Sequence, residues 1–129
     1  MNIRQIKETC IYVSDLEKTQ IFYQRVLDLP LIGKKPGRHV FFRAGTSVLL
    51  CFIPEASSRE SELPPHFAKG PAHLAFEVGV TEYEDWKQKV TLAGIEIIHE
   101  QSWAERFLSF YFHDPDGHLL EIVQEGMWE

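Results

Sequence analysis

The chain has 129 residues, 44% hydrophobic and 25% charged, a balance that suits one soluble globular domain and argues against extended disorder. A net charge of −6 without a basic stripe argues against a nucleic-acid partner, and the longest apolar run, residues 48–53, is too short to cross a bilayer, so no membrane role is expected. Residues 1–8 lack the apolar core of a secretory signal, and Cys10 and Cys51 fall in strand-like stretches; a cytoplasmic location without disulfides is the expectation.

In chain order, residues 5–13 read as a strand, and Ser14-Asp15-Leu16-Glu17 reads as a capping box opening a helix over 15–28 with Leu16, Phe22, Tyr23, Val26 and Leu27 apolar. Residues 38–44 alternate, a Gly45-Thr46 turn follows, and 47–53 is rich in apolar and β-branched side chains, giving two further strands. Residues 54–70 are polar with three prolines and read as a linker. Then come a strand at 72–78, a second capping box at Thr81-Glu82-Tyr83-Glu84, and a helix from 82 with Tyr83, Trp86, Val90 and Ala93 on one face, ended by Gly94. Strands at 95–99, 107–113 and 118–124 complete the pattern, the last two joined by the turn Asp114-Pro115-Asp116-Gly117, where proline presets φ and glycine accepts a positive φ.

The second half restates the first. Glu8-Thr9-Cys10-Ile11-Tyr12-Val13 is answered 65 residues later by His73-Leu74-Ala75-Phe76-Glu77-Val78, and each leads into a helix start. That period is too long for a solenoid and implies a duplicated β-α-β-β-β unit: module one at about 1–53, the linker at 54–70 and module two at 71–129.

Strand parity sorts the side chains. If Ile11, Val13, Val40, Phe42, Val48, Leu50, Leu74, Phe76, Val78, Phe110, Phe112, Leu120 and Ile122 pack under the helices, the opposite face holds Glu8, Cys10, Tyr12, His39, Phe41, Arg43, Leu49, Cys51, His73, Glu77, Tyr111, His113, Glu121 and Val123. Such a mixed face is too polar for a second core and suits a pocket wall.

The duplicated units, Val13-x-Asp15-Leu16 before a helix bearing Phe22-Tyr23, Gly70-x-x-His73-Leu74-Ala75-Phe76, and Phe112-x-Asp114-Pro115-Asp116-Gly117-His118-x-x-Glu121 together resemble the vicinal oxygen chelate superfamily of glyoxalases, bleomycin-resistance proteins and extradiol dioxygenases. The resemblance covers nearly the whole chain. It implies one glyoxalase-like α+β domain in which two β-α-β-β-β modules form a curved, cup-shaped mixed sheet around one divalent metal. Carried over by position, the ligands are Glu8, His73 and Glu121, with glutamate at the first place where histidine is commoner in the superfamily. A second glutamate, found in glyoxalase I enzymes, would fall at Leu49 or, with a one-residue shift, at Leu50; neither can ligate.

Three protein ligands leave positions open for substrate oxygens or water, and two carboxylates with one imidazole favour Mn, Fe, Mg or Zn over Cu or Ni on ligand type, although affinity order keeps Ni in play. The expected protein is a cytoplasmic metal-dependent lyase or isomerase, working through an enediolate-type intermediate on a small molecule that chelates through adjacent oxygens. The rivals are a metal-free antibiotic-sequestering protein and a ring-cleaving dioxygenase, which would need His39 or His66 as an added ligand. His39, Tyr111 and Arg43 share the pocket parity and are candidates for proton transfer or substrate contact; the two assigned to catalysis are His39 and Tyr111. Arg43 and Phe41 are expected to bind substrate, and Trp103 and Arg106, in the loop before a strand, to shape the pocket mouth. His113 and His118 read as surface residues, Cys10 and Cys51 as apolar fillers. Uncovered sheet edges and the resemblance imply a homodimer, with residues 54–70 carrying any exchange between chains.

Overall fold

The computed structural model describes residues 1–59 and 61–129. Two compact units divide it, Met1–Gly70 and Pro71–Glu129. The first runs β1 (Glu8–Tyr12), α1 (Leu16–Arg25), β2 (Leu31–Lys35), β3 (His39–Ala44), β4 (Ser47–Phe52) and a short α2 (Pro54–Ser57). The second runs β5 (His73–Val78), a 3-10 turn (Val80–Glu82), α3 (Tyr83–Leu92), β6 (His99–Trp103), β7 (Phe107–His113) and β8 (Leu119–Gln124). The sheet orders are β1-β4-β3-β2 and β5-β8-β7-β6. In each, the first strand lies parallel to the last and the other pairs are antiparallel.

The duplication extends to register. Glu8 pairs with Val48 as His73 pairs with Leu119, and Phe41 pairs with Leu50 as Tyr111 pairs with Glu121. Each helix covers one sheet face. Thr19, Phe22 and Tyr23 of α1, with Val26 and Leu27 beyond its end, bury with Ile11, Val40, Phe42, Leu49 and Cys51; Tyr83 and Val90 of α3 bury with Phe110, Phe112, Leu120 and Ile122. Full burial of each large apolar side chain contributes about 1.5–3 kcal/mol.

Helix starts depart from the expected capping boxes. The cap of α1 is Asp15, whose side chain accepts the Lys18 N–H at 3.0 Å, one residue later than Ser14, so Glu17 lies a position too early to complete a box. The 3-10 turn absorbs Thr81, and α3 starts after Glu82 with no side-chain cap. Gly94 ends α3 as expected, with φ +82° and its N–H on the Thr91 carbonyl.

Three strand assignments change. β2 was given no residues by the sequence pattern, and the strand expected at 95–99 sits at His99–Trp103. Both are edge strands rich in charged or polar residues, which the search for apolar periodicity overlooks. In β4 the parity is inverted: Leu49 and Cys51 lie in the core opposite Phe42 and Val40, while Val48 and Leu50 take the open face with Arg43 and Phe41. A run of five apolar residues carries no alternation, so only pairing with β3 sets its faces. The segment read as a linker falls within the first unit: α2 buries Ser57, and the Ala56 carbonyl accepts from Arg38.

Among the described residues, no helix is long and apolar enough to cross a membrane.

Candidate functional site

The second sheet brings two of the expected ligands together. His73 opens β5, and its Nδ1 lies 2.9 Å from the carbonyl of Leu119, its register partner on β8. A carbonyl only accepts, so Nδ1 carries the hydrogen, and in the neutral ring the lone pair is left on Nε2. That nitrogen lies 3.2 Å from Oε1 of Glu121, two residues along β8 on the same face. The Glu121 side chain is 7% exposed and that of His73 50%, so the pair has a buried half and an open half. A neutral Nε2 and a carboxylate are both acceptors and hold such a separation when a proton or a cation sits between them.

Tyr111 on β7 is the register partner of Glu121, its ring 6.2 Å from that of His73 and 5.7 Å from that of His99. Burial raises the phenol above its ordinary range; Ser109 opposes that, and the Glu121 charge adds a smaller upward push. The structure corrects the surroundings of Trp103 and Arg106. Trp103 is the last residue of β6 rather than a loop residue, and its indole N–H donates to Ser109 Oγ at 2.9 Å. Arg106 lies in the β6–β7 hairpin turn, its guanidinium 4.9 Å from the centre of the Phe107 ring.

His118 is buried, not a surface residue: its Nδ1 accepts the Ala72 N–H at 2.8 Å, which fixes the start of β5 beside His73. Asp114, also buried, accepts the N–H groups of Asp116 and His118, and Gly117 turns at φ +80°. The turn therefore sets where β8, and with it Glu121, begins. His113 is exposed as expected.

On the first unit, Glu8, Cys10 and Tyr12 of β1 share the open face with Val48, Leu50 and Phe52 of β4 and His39, Phe41 and Arg43 of β3. Glu8 is exposed. Arg43 donates to the Ser47 carbonyl. Leu50 stands where the second unit has Glu121, so this sheet offers no matching carboxylate. His39 stacks flat on Phe41, 3.9 Å between ring centres and 9° between planes, with Phe52 edge-on to both. Its Nδ1 is buried with no hydrogen-bond partner among the described residues, and burial, then Arg38 and Lys35, push the imidazole down, which favours the neutral ring.

Sequence reasoning missed the fixing of His66. Its Nδ1 lies 2.7 Å from the Tyr12 hydroxyl and its ring is edge-on to Phe52, fastening residues expected to be linker onto the open face. A lone histidine in a polar stretch carries no signal for so distant a partner. Cys10 is exposed rather than a core filler, and its thiol is raised by desolvation, then by Glu8, so it is no thiolate. Cys51 is buried as expected.

Among the described residues no group of three His, Cys, Asp or Glu side chains is gathered to hold a metal ion; His73 and Glu121 form a pair, and Glu8 joins no such group.

The Glyoxalase/Bleomycin resistance protein/Dioxygenase superfamily model matches residues 5–122. The chain is 26% identical to the metallothiol transferase FosB of Staphylococcus saprophyticus, over 93% of the chain and 76% of that protein. It is 29% identical to the glutathione transferase FosA of Serratia marcescens, over 93% and 80%. The crystal structure of lactoylglutathione lyase from Agrobacterium tumefaciens superposes with a TM-score of 0.94 at 32% identity, over 99% and 98% of the two chains.

Proposed function

Since the chain belongs to the Glyoxalase/Bleomycin resistance protein/Dioxygenase superfamily, we propose that it is a metal-dependent lyase or transferase acting on a small electrophile with adjacent oxygen atoms, with a small thiol or its adduct as the other reactant. The observation that carries the metal half is the His73 Nδ1 contact with the Leu119 carbonyl: it turns the lone pair of Nε2 toward the buried Glu121 carboxylate, a donor set that fits a divalent cation. His73 and Glu121 would hold the ion, with Glu8 as the third ligand; Mn, Zn, Fe, Mg and Ni suit the donors. When bound, such an ion supplies Lewis acidity to a coordinated oxygen.

The chain's own groups supply the rest. Tyr111 holds a proton beside Glu121 and can donate a hydrogen bond to a substrate oxygen. His39, neutral and stacked, joins Phe41 in offering an apolar wall, which suits substrate contact better than the proton transfer expected of it. Arg43 supplies a positive charge on the same face of the first sheet. The thiol rests on the relatives' names, since a metallothiol transferase, a glutathione transferase and a lactoylglutathione lyase each act on a thiol or its adduct. We place the protein in the cytoplasm as a homodimer.

Protein stripped with a chelator and reloaded with Mn²⁺, Zn²⁺ or Ni²⁺ tests this in a screen of thiol loss against 2-oxoaldehydes and epoxides. Turnover that needs metal and disappears in His73→Ala supports it; turnover indifferent to the chelator, or none with any electrophile, refutes it. Sequestration without chemistry is the second reading, favoured by the lack of a three-residue donor group among the described residues. Tight, chelator-insensitive binding of a bleomycin-type drug would establish it instead.

A further inference from the structure

Charge is unevenly divided along this chain. Residues 1–70 carry ten Lys and Arg against seven Asp and Glu, a net of +3, while residues 71–129 carry three against twelve, a net of −9. Among the described residues both ion pairs, His73 with Glu121 and Lys87 with Glu100, lie in the second unit. The cations of the first unit have no carboxylate partner among those residues, and two of them stand at one corner of its open face.

Register sets Lys35, His39, Phe52 and Tyr12 in one row across β2, β3, β4 and β1. Directly opposed strand residues share a face, so Lys35 stands beside His39 on the open one. Arg38, one residue before His39, reaches the same row: its guanidinium carbon lies 5.7 Å from the centre of the Phe52 ring, which is edge-on to His39 at 5.6 Å. One N–H of this half-buried guanidinium donates to the Ala56 carbonyl at 3.4 Å, its one side-chain hydrogen bond among the described residues. A guanidinium carries five N–H donors in a planar fork, so most of them are unspent. The adjoining row, Gly33, Phe41, Leu50 and Cys10, bears no formal charge. Gly33 leaves room for it, because a Cβ there would stand 3.2 Å from Cδ2 of the Phe41 ring that stacks on His39.

We propose that Lys35 and Arg38 form a subsite for the oxyanion end of a small organic anion, a carboxylate or a phosphate, whose apolar body lies along His39, Phe41 and Leu50. The unspent fork of Arg38 matches two oxygens of such a group, and Lys35 adds a point charge. A neutral ligand of the same shape gains only the apolar floor. This deepens the metal-dependent reading by giving the small electrophile a charge, and it rests on that reading for its use, although the binding itself needs no ion.

The test titrates metal-stripped protein calorimetrically with phenylbutanoate, phenylbutyl phosphate and the neutral phenylbutanol, and follows the His39 ring protons by NMR. At least one anion should bind about tenfold more tightly than the alcohol, between the worth of an exposed ion pair and that of a buried charged hydrogen bond. The tighter of the two anions identifies the oxyanion, and both should weaken as salt is added. Arg38→Gln should remove most of the preference for the anion while leaving alcohol affinity unchanged. Lys35→Gln, at an exposed position where folding is not at stake, should lower it about twofold. The His39 signals should move with either anion. Anions that bind no better than the alcohol, a preference that survives both substitutions, or His39 signals that stay still while those of His73 move, each overturn the proposal. Anion binding at His39 in a protein that takes up no metal would sink the metal-dependent function and leave the subsite standing; metal uptake without anion preference would do the reverse.

Discussion

Replacing His118 by alanine tests how the strand that carries His73 is held. His118 is 3% exposed; its Nδ1 accepts the Ala72 N–H at 2.8 Å, while its own backbone N–H goes to Asp114 Oδ1 at 2.9 Å. Alanine keeps the second bond, which uses the backbone, and removes the first. A part-buried N–H left without an acceptor costs about 1–3 kcal/mol. The space vacated by the ring adds about 1 kcal/mol, giving about 2–4 kcal/mol in all. Asparagine places Oδ1 near the former Nδ1 and restores the acceptor, so His118→Asn should recover at least about half of that loss. Urea unfolding followed by tryptophan fluorescence and far-UV circular dichroism reads both, as a lower midpoint at unchanged slope. A loss below about 0.5 kcal/mol, the range of an ordinary surface change, would refute the reasoning. So would an asparagine variant no more stable than the alanine one.

Tyr83 is buried and its hydroxyl donates to Glu100, which Lys87 also holds; these contacts keep the Glu100 carboxyl below its ordinary range, Lys87 contributing most. A depressed carboxyl stabilises above its unfolded pKa and loses that contribution as pH falls, so Tyr83→Phe should cost about 1 kcal/mol at pH 7, less below about pH 4, by urea midpoints at both pH values. A cost that does not shrink in acid contradicts this. Gly117 has φ +80° and open space where a Cβ would stand, so Gly117→Ala should cost about 1 kcal/mol of backbone strain in the same assay, and no cost would show that the turn relaxes. Iodoacetamide should label exposed Cys10 slowly and spare buried Cys51 until the protein unfolds, read by mass as one adduct and then two. Two adducts on native protein would refute the placement of Cys51.

Legibility from the sequence followed the strength of each local signal. The repeat from Glu8 to His73 was readable because both strands carry the same apolar pattern before a helix, and the structure carries it through to pairing register. The Asp114-Pro115-Asp116-Gly117 turn was readable because its chemistry is local, with Asp114 accepting from residues two and four positions on. Where alternation vanishes, in residues 48–52, faces could not be assigned, and Leu49 and Cys51 went to the wrong side. Edge strands β2 and β6 escaped because they bury too little to need apolar periodicity. Partners far apart in sequence were beyond reach: His118 on Ala72, His66 on Tyr12 and Trp103 on Ser109 are each set by tertiary register. Of the site, parity was enough to put His73, Tyr111 and Glu121 on one face; the tautomer that turns His73 Nε2 toward Glu121 comes from a carbonyl 46 residues away.

Calorimetric titration of metal-stripped protein with Zn²⁺ bears most directly on the claim that His73 and Glu121 hold a cation. The parent should take up about one ion per chain, because a buried carboxylate beside an imidazole lone pair is costly until a cation joins them. His73→Ala and Glu121→Ala should each abolish that uptake with urea midpoints still reporting a folded protein, and Glu8→Ala should weaken it. A parent that takes up no ion, or a Glu121→Ala variant that binds Zn²⁺ as tightly as the parent, would contradict the assignment.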